Sequence, residues 1–395
     1  MKKFIDDLEL KDKKVLIRVD FNVPINPNGE ITSLKRIKAA LPTIEKVISE
    51  GGKAILFSHL GRVKEEKDLA KNNLEPVAQA LADLLQKNVT FVKKTRGQEL
   101  ESAINNMENG DVLLVQNTRY EDLEGKKESK NDEELGKYWA SLGDLFINDA
   151  FGTAHRAHAS NVGIASNIKI SALGYLMNKE VEALNKIVNS PKEPYVAIIG
   201  GAKISDKIGI LESLVKKVDK LLIGGGMAYT FLKAQGHTIG NSLVEEERIQ
   251  YAKEFLSIHA NKVVLPVDSA NASAFKDMEA TFSGKDIPEG YMGLDLGPES
   301  IELFVNALEG AKTVFWNGPM GVTEFENFKH GTFDIAKKIS ELKNVYSVVG
   351  GGDSVAAIEK LQFEDKFSHI STGGGASLEL LEGKTLPGVE SIQDK

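Results

Sequence analysis

Apolar residues along this chain follow two alternating patterns. Short, near-continuous β-branched and aliphatic runs recur, each followed by a polar turn and a stretch with apolar residues three or four apart. In the first half the runs predict strands at Lys14–Asp20, Lys53–Ser58, Val89–Val92, Val112–Val115 and Leu145–Asn148. In the second half they predict strands at Val196–Gly200, Lys220–Gly224, Lys262–Val267, Thr313–Trp316 and Tyr346–Val349. Strands covered on both faces of a parallel sheet read in this way. Leu74–Gln86, Glu246–Ala260 and Ser300–Leu308 carry the helical period between them. Alternating strand and helix predicts an open, doubly wound α/β architecture with mostly parallel sheets.

The pattern runs twice without an obvious sequence repeat. Between the halves lies a helical stretch, Met177–Asn189, with apolar Val181, Leu184, Ile187 and Val188, which Ser190-Pro-Lys-Glu-Pro194 then breaks. Two prolines so close together mark a boundary, and the domain junction is expected near residues 170–195. At about 150 residues per domain, 395 residues also suggest two or three.

Composition narrows the function classes. The chain is 42% hydrophobic and 27% charged, which is globular and argues against extensive disorder. Its 49 basic and 57 acidic residues give a net charge of −8, so neither nucleic acid nor an anionic membrane is an expected partner. With no cysteine, disulfides, thiolate zinc sites and a cysteine nucleophile are excluded. No apolar run approaches the ~18 residues that would span a bilayer. Met1–Leu10 lacks the apolar core of a secretory signal, and a cytoplasmic protein is expected. Asn88-Val-Thr90 and Asn271-Ala-Ser273 match the glycosylation triplet by chance on that reading. Six of the seven arginines lie in the first 156 residues. Arginine supplies a rigid fork for phosphate and carboxylate that lysine does not.

Ligands of open parallel sheets bind beyond the carboxyl ends of the strands, so candidate chemistry is sought there. In the first half these ends carry Asp20 and Asn22, then Ser58-His-Leu-Gly-Arg62, Arg119, and Asn148 through His158, while Arg36 opens a helix after a long loop. Arginines from separate elements would thus face one rim, suited to a small anion bearing phosphate and carboxylate. His59 is the histidine expected to touch that ligand; His155 and His158 are weaker candidates. In the second half the strand ends are glycine-rich: Gly200-Gly-Ala-Lys203, Gly224-Gly-Gly226, Asn317-Gly-Pro-Met-Gly321, Gly350-Gly-Gly-Asp353, and later Gly373-Gly-Gly375. Such turns let phosphate approach backbone N–H groups at helix starts.

Known nucleotide motifs are not met. Gly383-Lys-Thr385 has Leu378 where a Walker A loop needs glycine, and Gly224-Gly-Gly226 lacks the last glycine of a dinucleotide fingerprint. Protein-kinase His-Arg-Asp and Asp-Phe-Gly signatures are missing. Asp353 reads equally as a helix N-cap or as a ligand of phosphate-borne Mg²⁺. Lys203 and Lys207 would share a helical face if the helix starts early. Glu324 could accept hydrogen bonds from a ribose, although a solvated loop carboxylate is the simpler reading.

Seven runs, in order, resemble the phosphoglycerate kinase family: Arg18-Val-Asp-Phe-Asn-Val-Pro24, Ser58-His-Leu-Gly-Arg62, Asn148-Asp-Ala-Phe-Gly-Thr-Ala-His-Arg-Ala-His158, Gly200-Gly-Ala-Lys203, Trp316-Asn-Gly-Pro319, Gly350-Gly-Gly-Asp353 and Ser371-Thr-Gly-Gly-Gly-Ala-Ser377. The resemblance implies two Rossmann-like domains joined by an interdomain helix. These would be residues 1–175 for the triose, 176–190 for the helix and 191–375 for the nucleotide, with 376–395 packing back on the first domain. It implies transfer of a phosphoryl group between 1,3-bisphosphoglycerate and ADP to give 3-phosphoglycerate and ATP, with Mg²⁺, by a cytoplasmic monomer. By motif position, Asp20, Asn22, Arg36, His59, Leu60, Gly61, Arg62, Arg119 and Arg156 would bind the triose. Lys207, Gly293, Glu324, Gly350, Gly351, Gly352, Asp353 and Ser354 would bind the nucleotide, and Asp353 the metal. Arg36, Lys203 and Gly374 would be catalytic.

The chain departs from the family pattern in Ile31-Thr-Ser-Leu-Lys-Arg36, which lacks an acidic residue before the arginine. It also departs at Val63, at Lys71–Pro76 and at Thr323. None of these removes a charged site residue. The acceptor in the reverse direction is a carboxylate, ionised at pH 7, so no general base is needed and none stands out. Rival readings are a nicotinamide-dependent oxidoreductase, a non-catalytic nucleotide sensor and a scaffold. The failed fingerprint and the arginine-bearing strand ends disfavour the first, and the presence of Arg36 and Lys203 disfavours the second.

Overall fold

The computed structural model describes residues 1–395, which form two compact units: Met1–Glu182 with Thr385–Lys395, and Ala183–Lys384. The division falls inside one helix, Tyr175–Asn189. No helix is long and apolar enough to cross a membrane.

The first unit holds β1 (Lys14–Arg18), β2 (Lys53–Phe57), β3 (Val89–Val92), β4 (Val112–Val115), β5 (Leu145–Asn148) and β6 (Ser171–Leu173). They form one parallel sheet in the order β3-β4-β2-β1-β5-β6. The winding reverses between β1 and β5, where Arg18 and Asn148 are in register. The helix Lys35–Ser49 lays Ile37, Ala40, Ile44 and Val47 on this sheet, at the three- and four-residue spacing that makes one apolar face. These residues pack with Val15, Ile17, Leu56 and Ile147 in a single core cluster.

The second unit contains β7 (Tyr195–Ile199), β8 (Lys220–Ile223), β9 (Val263–Val264), β10 (Asp268–Ala272), β11 (Thr281–Gly284), β12 (Met292–Leu296), β13 (Thr313–Asn317), β14 (Tyr346–Gly350) and β15 (His369–Ile370). Six of these build a second parallel sheet, β15-β14-β13-β7-β8-β9, whose winding reverses between β7 and β13. Val196, Ile198, Val314, Trp316 and Val349 share its core with the helix residues Ile335, Ile339 and Ile358. Loops at the carboxyl ends of these strands approach closely. A side chain at Gly225 (φ +70°) would come within 2.7 Å of Gly201 backbone, so glycine is required there.

Four features differ from the sequence reading. An antiparallel sheet, β11-β10-β12, is added to the second unit. The strand expected over Lys262–Val267 shrinks to β9, because only Leu221 and Leu222 pair with it. The helix after Lys203 begins at Ile208, so Lys203 lies in an irregular loop and shares no helical face with Lys207. The chain rejoins the first unit at Thr385, not at Ala376. The helix Gly375–Leu381 stays with the second unit, where Leu381 O accepts the Ser213 hydroxyl at 2.7 Å.

Candidate active site

The first cleft is assembled from four strand ends. Beyond β1, the Asp20 carboxylate pairs with Arg36 in the first turn of Lys35–Ser49. Beyond β2, the segment His59–Arg62 is clamped from both sides. Asn22 Oδ1 accepts the Gly61 N–H at 2.8 Å, and the Arg119 guanidinium donates to Gly61 O. Asn117, past β4, accepts the Leu60 N–H at 3.1 Å and the Arg119 N–H at 3.0 Å, and donates to Leu60 O at 2.7 Å. One carboxamide therefore sets both the loop and the arginine. Arg62, Arg119 and Arg156 line a single cavity of ≈ 660 Å³ with Lys64, Lys126 and Lys130. Arg119 is half-buried and its Nε has no partner. Burial lowers its pKa, opposed by Asp122 and Glu128, but a guanidinium remains cationic at neutral pH.

Beneath this cleft lies a buried polar network that the sequence reading missed. Arg18 is fully buried. Its Nε donates to Ser160 Oγ at 2.8 Å, Nη1 to Val19 O at 2.5 Å, and Nη2 lies 3.1 Å from His59 Nδ1. Ser160 in turn donates through Oγ and N–H to the two oxygens of Glu128, at 2.5 and 2.9 Å. Burial pushes the Glu128 carboxyl up, and Arg18 opposes that shift. Burial first, then Arg18 and Arg119, hold His59 well below its ordinary value. His59 is thus a neutral ring seated on Arg18, with 5% of its surface exposed.

The second cleft lies beyond β7, β8, β13 and β14. A cavity of ≈ 440 Å³ is lined by Gly201, Ala202, Gly225 and Gly226 at the strand ends, and by Gly293, Glu324 and Asp353. Tyr229, Leu243, Phe275, Met292 and Leu294 make its apolar lining. Lys207 donates to Asn317 Oδ1 at the end of β13, and burial lowers its pKa. Ser354 is buried and its hydroxyl accepts the Gly318 N–H at 2.9 Å, so it shapes the loop. Gly350 ends β14, Gly351 caps the helix Gly352–Lys360 at φ +94°, and Asp353 follows in its first turn. Asp353 is therefore not the N-cap, and its exposed carboxylate faces the glycine-lined cavity. The loop carrying Lys203 is held by Glu245, which accepts the Ile204 N–H and the Ser205 hydroxyl, each at 2.5 Å. Lys203 itself is exposed. Gly374 stands at φ +50° before the helix Gly375–Leu381.

An arginine-lined cleft in one α/β unit and a glycine-lined cavity beside a helix start in another are the arrangement expected of a two-domain phosphotransferase. A phosphoglycerate kinase family model matches residues 5–384. The chain is 60% identical over 395 residues to the phosphoglycerate kinase of Lacticaseibacillus casei, covering all of both chains. It is 59% identical over 396 residues to that of Staphylococcus aureus, again with full coverage. Its fold is similar to the phosphoglycerate kinase of Coxiella burnetii, with a TM-score of 0.89 at 40% identity over 99% of this chain and 98% of that one. The enzyme from Pyrococcus horikoshii superposes with a TM-score of 0.84 at 31% identity, with the same coverage. The chain belongs to the phosphoglycerate kinase family. It is a glycolytic, ATP-binding transferase, and its family uses a magnesium–nucleotide complex.

Proposed function

We propose that the first unit binds 3-phosphoglycerate or 1,3-bisphosphoglycerate in the arginine cleft and that the second binds ADP or ATP in the glycine-lined cavity. The observation that carries this reading is the convergence of Arg62, Arg119 and Arg156 on one cavity. In the forward direction the bond from phosphorus to the carboxyl oxygen breaks and a bond to the terminal ADP oxygen forms. The leaving carboxylate needs no proton at neutral pH. Positioning and charge stabilisation then supply the catalysis.

Each group has a part in this. Arg62, Arg119 and Arg156 hold the spectator phosphate and fix the triose. His59, neutral on Arg18, offers a hydrogen bond without adding charge. Asp20 orients Arg36, which meets the transferring group. Lys203 supplies the facing cation from the nucleotide side, and Gly374 leaves room for the phosphoryl oxygens. Gly293 and the apolar lining accept the base, Glu324 the ribose, and Gly350–Gly352 with Lys207 the phosphates. The exposed Asp353 carboxylate at a helix start fits a hard divalent cation carried by the nucleotide. When bound, Mg²⁺ neutralises charge on the nucleotide phosphates.

Because the two ligands belong to different units, transfer requires them to be brought together by a hinge. The helix Tyr175–Asn189 and Gly373–Gly375 are the proposed bending points, in a cytoplasmic monomer. The test of the reaction is a coupled assay with ATP, Mg²⁺ and 3-phosphoglycerate, in which a downstream dehydrogenase reports acyl phosphate. A second test is small-angle scattering. Compaction with both substrates supports closure, and an unchanged radius rejects it.

A further inference from the structure

Asn148 and Asp149 follow one another at the end of β5, where the winding of the first sheet reverses, and both are fully buried. Neither belongs to the ligand-facing residues above. Buried polar side chains are costly unless hydrogen-bonded, so their partners show what they serve.

Asp149 is tied to the floor of the triose cleft by its main chain. Its N–H donates to Arg18 O at 2.8 Å, and the Arg18 side chain carries His59. Its carboxylate faces the other way in function. Oδ1 accepts the Met177 N–H at 3.1 Å, in the first turn of the helix by which the chain leaves this unit. The same helix start is held a second time, because the Tyr175 N–H donates to Thr43 Oγ1 at 2.9 Å. Thr43 is a buried polar residue in the apolar face of the helix that Arg36 opens. Gly174 packs so tightly here that a side chain would come within 2.7 Å of Asp149 Cβ.

Asn148 serves the returning chain. Its Nδ2 donates to Gly388 O at 2.9 Å, and the Gly388 N–H donates to Ala154 O at 2.8 Å. The main-chain carbonyl of Asn148 accepts the Gly174 N–H at 2.9 Å. Consecutive residues thus grip both passages of chain that cross the division between the units.

We propose that Asn148 and Asp149 are positioning residues that fix the outgoing helix and the returning segment to the strand end beneath the triose cleft. The inference rests on the closure reading above: a hinge transmits movement to the cleft only if its near end is rigidly held.

The experiment uses the full-length chain and three variants. Asn148→Asp keeps the shape but replaces the donor to Gly388 O with an oxygen. Asp149→Ala removes the acceptor for Met177, and Asp149→Asn keeps an acceptor oxygen. Asn148→Asp and Asp149→Ala are expected to lower kcat by up to ~10²-fold, with KM for both substrates held within about twofold, as for misplacement remote from the chemistry. Asp149→Asn is expected to restore most of the lost kcat. Unchanged kcat in both damaging variants overturns the proposal, and so does a loss carried by KM, or an Asn variant no better than Ala. Should Asp149→Ala fail to fold, Thr43→Val removes the second tie and carries the same expectation. Scattering separates the two readings. A wild type that does not compact refutes closure, whereas a compacting wild type with variants of normal kcat refutes the positioning role.

Discussion

Arg36 is held by Asp20: the guanidinium at the first turn of Lys35–Ser49 is ion-paired with a carboxylate just past β1. The arginine side chain is 41% exposed, and an ion pair at that exposure adds little to stability. On the function proposed above, its value lies in aiming a cation at the transferring group. Arg36→Ala is expected to lower kcat by at least ~10³-fold, on the scale of other cations that stabilise phosphoryl transfer. The melting temperature should stay near that of the wild type. Asp20→Asn should leave the cation present but less well aimed, with a smaller loss. Steady-state kinetics with thermal melts decide this, and near-normal turnover in Arg36→Ala removes it from the catalytic set.

Gly293 lines the second cavity, and a Cβ placed there would meet the Tyr229 ring, with Cε1 at 2.6 Å. Tyr229 is buried and has little freedom to retreat. Gly293→Ala is expected to raise the nucleotide KM by about tenfold, in line with overpacking costs of about 1–3 kcal/mol. The triose KM should be unaffected. Titration of ADP by calorimetry checks the affinity directly, and unchanged affinity moves the base out of this cavity.

Most of the parallel sheets were legible because their strands are buried on both faces and read as continuous apolar runs, as in Val112–Val115 and Leu145–Asn148. The added antiparallel sheet was not. β10 is Asp-Ser-Ala-Asn-Ala, with no β-branched residue, and β11 is almost wholly exposed. β6 and β15 are three and two residues long, too short for any periodicity. The rim arginines and glycine turns could be found because they follow strands, where ligands bind. Glu128 could not: it lies in the polar run Glu124–Asp132, which reads as a solvated loop until Ser160 and Arg18 are brought to it. Arg18 was visible in β1 but gave no sign of pointing into the core. Asp149 offered only its place after a strand, because its partner Met177 is remote in sequence.

Asp353 sits in the first turn of Gly352–Lys360 with Gly351 as the cap. Its carboxylate is exposed and makes no cap, so removing its charge should not disturb the helix. Asp353→Asn is expected to raise the Mg²⁺ concentration needed for half-maximal activity by about tenfold or more, since a hard cation loses an anionic oxygen ligand. Binding of metal-free ADP should hardly change. A magnesium titration of activity, paired with ADP binding in chelator, separates these effects. An unshifted magnesium midpoint assigns the metal to another residue.

His158 gives the fold a pH dependence whose sign can be worked out. It is buried 3.9 Å from Glu128, and its pKa is pushed down to about 3, first by burial and then by Arg18, Arg119, Arg156 and His155. An unfolded chain takes up the proton near pH 6.5, and the native site refuses it until far lower pH. This contribution is therefore complete above pH 6.5 and is lost as the pH falls toward 3, with a slope of at most about 1.4 kcal/mol per pH unit. Two buried carboxyls act in the opposite sense. Asp149 and Asp295 are each raised to about 7 by burial. Their contribution is full below about pH 4 and is lost as the pH rises through 7. Between pH 4 and 6.5 the histidine opposes the two carboxyls and offsets part of their slope. His158→Gln removes one contribution from the histidine side of that balance, which the buried His59 shares. Its stability relative to the wild type should rise steadily as the pH is lowered from 6.5 to 4.5, moving the optimum to lower pH. Urea melts at four pH values across that range and at 7.5 measure this. Parallel curves for the two proteins would show that His158 takes up its proton equally in both states and is not excluded from charge by burial and the neighbouring arginines.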